Sequence, residues 1–375
     1  MTSGTRDAMT PRERLAAMAR GEAMDRVPFM PTLLEHAALL TGQVPSRCAT
    51  DAGRLEEAHV AAYRTYRHDL VTVGIDIYDI EAEALGCGVR FQDDGSVPGI
   101  VHRPFQAMVP DDDPPLDADF SPDRGRIGLV LAAASGVLAR IGREVPVSVP
   151  VCGPFSLAVE LCGFDGMVDR CLEAPRRALD LLERLLSHQE AYVSAIRSRG
   201  LDVTVFESWA APPLLSPDLY EAFAVPFETR LVRRIRSEGG TTAPLVIGGN
   251  TTAILDGILS TGTTLLVADG GADPGLFARK AAAAGCTLRG NLDPRLMETG
   301  PIPILLDRVD ALLSQVGPIP RFVLGSGVVS FRTPGEHLLA VRQHLEIRGP
   351  RPVSPARRPD PPPGPGKPEN PCRTP

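Results

Sequence analysis

The chain has 375 residues, 43% of them hydrophobic, with a formal net charge of −7 and a pI near 5.6. That length and apolar content suffice for one large barrel or two ordinary domains. The acidic balance argues against nucleic acid as a partner, because a general binder needs a basic face to neutralise phosphates. No apolar run approaches the roughly 18 residues that span a bilayer, so no membrane association is expected. The opening MTSGTRDAMTPRER has no apolar stretch of the secretory kind, and a cytoplasmic setting is expected. The seven cysteines form no CxxC pair and read as buried, reduced thiols.

Thr10-Pro11-Arg12-Glu13 reads as a capping box with proline at the first helical position, opening a helix that stops at Gly21. An extended, Pro-rich segment follows over 27–31. Residues 51–68 predict a helix, 70–77 a strand, and 88–104 a hairpin around Asp94-Gly95. A helix over 124–141 precedes a strand over 145–151. Helices fill 154–200, a strand covers 201–206, and Ser216-Pro217-Asp218 opens a long helix to Gly239. Strands at 244–248, 264–268, 286–289 and 321–324 then alternate with helices at 251–260, 273–284, 293–315 and 334–347. Apolar strands alternating with amphipathic helices predict a parallel sheet covered by helices. The strand count of seven or eight favours a (β/α)8 TIM barrel of the α/β class over an open sheet. Neither GxGxxG nor GxxxxGK[ST] is present. The barrel domain is expected over residues 1–349. Residues 350–375 hold eleven prolines and read as a disordered tail.

In such a barrel the chemistry sits where strands hand over to helices. The residues at those points are Asp76, Asp79 and Glu81; Glu207-Ser208-Trp209; Gly248-Gly249-Asn250; Asp269; Asn291 to Asp293; and Ser326. In VTVGIDIYDIEAEALGC, period two puts Val71, Val73, Ile75, Ile77, Asp79 and Glu81 on one face while the strand lasts. So many carboxylates after an apolar strand are costly unless solvent, a cation or a metal meets them. Asp76, Glu207 and Asp269 are the candidate catalytic groups. Asn250, Asn291 and Ser326 are candidate substrate ligands. Plainer roles stay open. Glu81 and Glu83 could begin a solvated helical turn, Glu207 could cap a helix, and Asn250, Asn291 and Asp293 could do the same.

Taken in order, PRERLAAMARGEAMDRVPFMP, GIDIYDIEAEALGC, GPFSLAVELCGFD, ESWAAPPLLSPDLYEAFAVPF, GGNTTAILDGILSTG, RGNLDP and VLGSG resemble the uroporphyrinogen decarboxylase superfamily. That superfamily also contains zinc- and corrinoid-dependent methyltransferases. The resemblance covers residues 10–347 and implies the (β/α)8 barrel. Decarboxylases proper carry an Arg-rich segment that binds substrate carboxylates; here that region reads MPTLLEHAALLTG, without arginine. The thiol-directed methyltransferases bind zinc through a His-x-Cys and a later Cys. Those positions are Val246, Gly248 and Val328 here. The methyltransferase components of corrinoid O-demethylases are described by an acidic-x14-Glu-x20-His pattern. Glu81 and His102 fit its last two positions. Tyr66 stands at the first, with Asp69 three residues away; an ordinary hairpin histidine is the plainer reading of His102.

The resemblance thus implies a methyltransferase that moves a methyl group between a small substrate and a corrinoid (cobalamin) carried by a partner protein. Zinc at Glu81 and His102 is a possible cofactor. Decarboxylation of a porphyrinogen or related acid is the first alternative, and a non-catalytic tetrapyrrole- or corrinoid-binding barrel the second. A homodimer is left open.

Overall fold

A computed structural model describes residues 8–116 and 119–349. The proline-rich segment from residue 350, with Cys372, lies outside the described residues. Among the described residues there are ten strands: β1 (Phe29–Thr32), β2 (Val71–Thr72), β3 (Gly88–Arg90), β4 (Gly99–His102), β5 (Val147–Cys152), β6 (Asp202–Phe206), β7 (Leu245–Val246), β8 (Leu265–Ala268), β9 (Thr287–Leu292) and β10 (Phe322–Val328). β3 and β4 form an antiparallel hairpin. The other eight run parallel in two sheets of four, ordered β1-β10-β9-β8 and β2-β5-β6-β7. Backbone bonds bridge the seams: Asp69 N–H donates to the Phe29 carbonyl (2.8 Å) and Thr264 N–H to that of Ala243 (3.2 Å). The result is the (β/α)8 barrel anticipated from the alternation.

The local causes are visible. Thr10 and Glu13 make the reciprocal capping box, and Gly21 ends that helix at φ 70°. β5 is buried at all six positions, as a strand with helices on one side and the barrel interior on the other must be. All six described cysteines are buried and unbridged.

Beneath the strands, on their N-terminal side, a buried ion cluster clamps the entry of the chain. Asp69 accepts from Arg14, from Arg26 Nη1 (2.7 Å) and from the Phe29 N–H (2.6 Å). Arg14 also binds Asp25 (2.6 Å). Asp69, the acid nearest the first position of the zinc pattern, is therefore a structural anchor at the opposite end of β2 from the expected site.

One expectation is corrected here. β2 lasts two residues, not eight. Gly74 turns in so closely that an added Cβ would sit 3.2 Å from the Asp76 carbonyl and from Pro150, and its N–H is bound by His59 (3.2 Å). The period-two face therefore fails beyond Thr72, and Asp79 and Glu81 lie in a short helix, Asp79–Ala84.

Candidate active site

At the C-terminal end of β2 the carboxylates are sorted by what meets them. Asp76, 8% exposed, takes a two-pronged bond from Arg126, with Nη1 to Oδ1 at 2.9 Å and Nη2 to Oδ2 at 2.7 Å. Arg126 Nε holds Glu83 at 2.6 Å, and its guanidinium lies over the Phe91 ring. Asp76 is thus tied into an ion cluster rather than left as a free base. Asp79 has no such partner. Burial, reinforced by the charge of Asp76, pushes its carboxyl up to about 7, and its Oδ2 has no hydrogen bond among the described residues. Glu35, after β1, is likewise raised to about 7 by burial, with Glu298 and Asp76 adding to the effect. A carboxyl near 7 can both give and take a proton at neutral pH.

Glu81 is 1% exposed and faces the barrel wall. Its Oε2 accepts the Cys152 N–H at 2.6 Å, and Gln189, which donates to the Cys152 carbonyl at 2.5 Å, stands beside it. Burial raises its carboxyl to about 8. His102 is on the outer strand of the hairpin, exposed and paired with Gly88. Glu81 is thus buried against β5, while His102 is exposed on the hairpin.

Glu207 is fully buried and caps the helix Pro154–Cys162. Its carboxylate accepts from the N–H groups of Phe155 (3.2 Å) and Ser156 (2.8 Å) and from the Ser156 hydroxyl. Gly153 is obligatory there, since an added Cβ would lie 2.2 Å from the carboxylate. Burial pushes Glu207 up to about 7, against those bonds. The general-base reading of Glu207 is therefore corrected to that of a helix cap, with its oxygens occupied. Its neighbour Trp209 donates to Glu160 (2.7 Å), which also holds Arg103 (3.1 Å) and so ties the hairpin to this helix.

On the opposite side, Asp269 is half-buried and accepts the Gly249 N–H at 3.2 Å. Asn250 is exposed and bonds the Thr252 backbone and hydroxyl, a local cap rather than a group aimed into the barrel. Asp293 caps the next helix. Asn291 receives Arg289 Nε at 2.9 Å, and Ser326, fully buried, offers its carbonyl to Arg289 Nη2 at 2.6 Å. Two of the expected ligands thus converge on Arg289, a residue the strand-end reading passed over. An arginine inside the apolar run TLRGNL was the available signal.

A separate apolar cluster joins Leu34, Ile77 and Phe206, which follow or end β1, β2 and β6, with Tyr78 and Val246 packed on it. The Tyr78 and Ser208 hydroxyls bond to each other across β5. Two surface recesses, one around Arg176 and Asp180 and one around Phe105 and Leu116, include no strand end.

The donors do not fit zinc. Val246 ends β7, Gly248 follows it, and Val328 ends β10, so the thiol-type ligand positions carry no donor side chain. Among the described residues no group of three or more His, Cys, Asp or Glu is placed to hold a metal ion.

Fold and site together define a (β/α)8 enzyme scaffold with a polar rim on an apolar floor. The chain belongs to the uroporphyrinogen decarboxylase (URO-D) family, whose model matches residues 10–345. Among its relatives, the methylcobamide:CoM methyltransferase MtbA of Methanosarcina mazei is 27% identical, over 88% of this chain and 95% of that protein. MtaA of Methanosarcina barkeri, bearing the same enzyme name, is 25% identical over 88% and 96%. The uroporphyrinogen decarboxylase of Coxiella burnetii is 30% identical, but over only 46% of this chain and 49% of that one. A solved methyltransferase from Methanosarcina mazei superposes with a TM-score of 0.77 and 20% identity, covering 91% of this chain and 99% of that one.

Proposed function

We propose that this protein is a methyltransferase that moves a methyl group between a small substrate and a corrinoid carried on a separate protein. The observation that carries this reading is the end-to-end likeness to methylcobamide methyltransferases, against a likeness over about half the chain to a decarboxylase. The apolar floor of Leu34, Ile77 and Phe206 suits a methyl group, and the rim supplies proton chemistry. The corrinoid supplies a cobalt that gives or takes the methyl. Asp79, held near neutrality by burial, delivers a proton to a substrate heteroatom as it loses its methyl group, or removes one in the reverse direction. Glu35 is positioned as the second proton-carrying carboxyl of that rim.

The substrate is not a thiol activated in the manner of the zinc enzymes, because the side chains at those positions are aliphatic or absent. Free methylcobalamin is the probe: its absorbance spectrum reports loss of methyl to an acceptor, and cob(I)alamin reports the reverse transfer from oxygen- and nitrogen-methyl donors. Turnover with a donor or acceptor other than 2-mercaptoethanol is expected. No change in the cobalt spectrum with any of them, together with carbon dioxide release from uroporphyrinogen, overturns the reading in favour of a decarboxylase.

A further inference from the structure

Arg289 is a cation of the rim for which neither a cap nor an ion pair among the described residues gives a reason. It sits in β9 and is 5% exposed. Its direction follows from its neighbour: a side chain at Gly290 would strike Leu312 of the covering helix Ile302–Val316 at 3.0 Å. Gly290 therefore faces outward, and Arg289 and Asn291 face the barrel interior. The guanidinium lies against β10. Nε donates to Asn291 (2.9 Å), and Nη2 donates to Thr32 (2.7 Å) and to the Ser326 carbonyl (2.6 Å). Gly325 makes the room, since a Cβ there would come within 2.1 Å of Nε.

Every one of these acceptors is neutral. Most other buried arginines meet carboxylates: Arg14 and Arg26 share Asp69, Arg126 holds Asp76 and Glu83, and Arg342 pairs with Glu346; Arg170, like Arg289, is held by neutral groups, but by three backbone carbonyls, of Val109, Pro110 and Asp112. Arg289 forms no ion pair among the described residues, and its Nη1 is the edge left without a hydrogen bond. Nη1 is also not sealed off from solvent-accessible space. Burial lowers the guanidinium to about 10, opposed only by the charge of Asp269. A buried cation kept among neutral acceptors is costly unless an anion arrives to meet it.

We propose that Arg289, positioned by Asn291, Thr32 and Gly325, binds the anionic head group of the substrate through Nη1. A monoanion of the carboxylate class fits best. One cation faces the group, and the nearby Asp269 repels a phosphate dianion more strongly than a single charge. This assignment deepens the methyl-transfer reading by naming its substrate class, and it rests on that reading for the identity of the ligand as substrate.

The test needs no corrinoid, so its outcome is separate from that of the cobalt assay. Acetate binding to the full chain is titrated at pH 8 and constant ionic strength by 13C NMR line broadening, with acetamide as the neutral isostere. Acetate, but not acetamide, is expected to bind. Arg289→Met is expected to weaken acetate by about tenfold or more, the loss of a charge-assisted bond, and Arg289→Lys to retain part of the affinity. Asp269→Asn leaves the guanidinium in place and is expected to tighten acetate several-fold, which keeps the proposal testable if Arg289→Met does not fold. No acetate binding by the wild type, equal binding by Arg289→Met, or unchanged binding by Asp269→Asn overturns the site. Inorganic phosphate binding more tightly than acetate overturns the monoanion assignment.

Discussion

Glu81→Gln separates two roles for a residue with the spacing of a zinc ligand. In the fold, Glu81 is 1% exposed and accepts one backbone N–H, while its Oε1 has no hydrogen-bond partner among the described residues. Burial lifts its carboxyl from 4.5 to about 8. The folded state therefore keeps a proton that the unfolded chain releases above about 4.5, and stability falls as pH rises through the window from about 4.5 to 8. At 1.36 kcal/mol per unit, the full effect is on the order of 5 kcal/mol above pH 8 and vanishes below pH 4.5. Glutamine cannot ionise, accepts the same Cys152 N–H and can donate to Gln189. The variant is therefore expected to match the wild type near pH 5 and to exceed it increasingly toward pH 9. In urea, with a slope of about 3 kcal/mol per molar or more for a chain of this size, the midpoint should rise by roughly 1 M at pH 9. Far-UV circular dichroism from pH 5 to 9 measures it. A difference between the two proteins that does not change with pH refutes a protonated Glu81. A variant less stable at high pH, with loss of bound zinc, restores the ligand reading.

Asp69→Ala removes the shared acceptor of Arg14, Arg26 and the Phe29 N–H and is expected to cost about 3–5 kcal/mol in chemical denaturation, as breaking a buried ion cluster does. Asp79 carries its proton below about 7, so methyl transfer that uses it as an acid should decline as pH rises through that value; Asp79→Asn should flatten that limb of the kcat profile, and an unchanged profile assigns the proton elsewhere. Gly325→Ala places a methyl group 2.1 Å from Arg289 Nε and should reduce acetate binding about as much as Arg289→Met, with the far-UV spectrum retained.

The barrel was legible because its signals are local and repeated. Apolar strands alternate with capped helices, and the Thr10 box, the Asp94-Gly95 hairpin and the last four strands fall within a few residues of their expected places. The segment after β2 was misread for a physical reason. Its hydrophobic alternation continues through Ile77, but alternation records only which side chains are buried. The last ladder bond is that of the Val73 N–H to the Ser148 carbonyl (2.8 Å); having turned at Gly74, the chain buries Ile75 and Ile77 outside any strand. The site was half legible. Position at a strand end singles out Asp76, Glu207 and Asp269, but what an acid does depends on its partners, and these come from distant sequence: Arg126 for Asp76, Ser156 for Glu207, Gly249 for Asp269. Arg289 is not legible from strand-end position because it lies within β9 rather than after it.

The crowd of carboxyls after β2 has a resolution that composition alone does not reveal. Solvent, a metal or a cation could each relieve it; the fold uses a cation for two and protonation for two. Arg126 neutralises Asp76 and Glu83, while burial raises Asp79 and Glu81 to about 7 and 8. The two answers have different consequences. An ion cluster is fixed, and it holds the mouth in shape. A carboxyl near neutrality changes state for little free energy, so it can exchange a proton with a substrate. That division leaves β2 without a fixed charge free to meet a substrate anion. On β9, by contrast, a guanidinium stands among neutral acceptors. A substrate with a negative head group toward Arg289 and its reacting atom toward Asp79 satisfies both sides of the mouth at once, and a neutral substrate leaves the cost of burying Arg289 unrelieved.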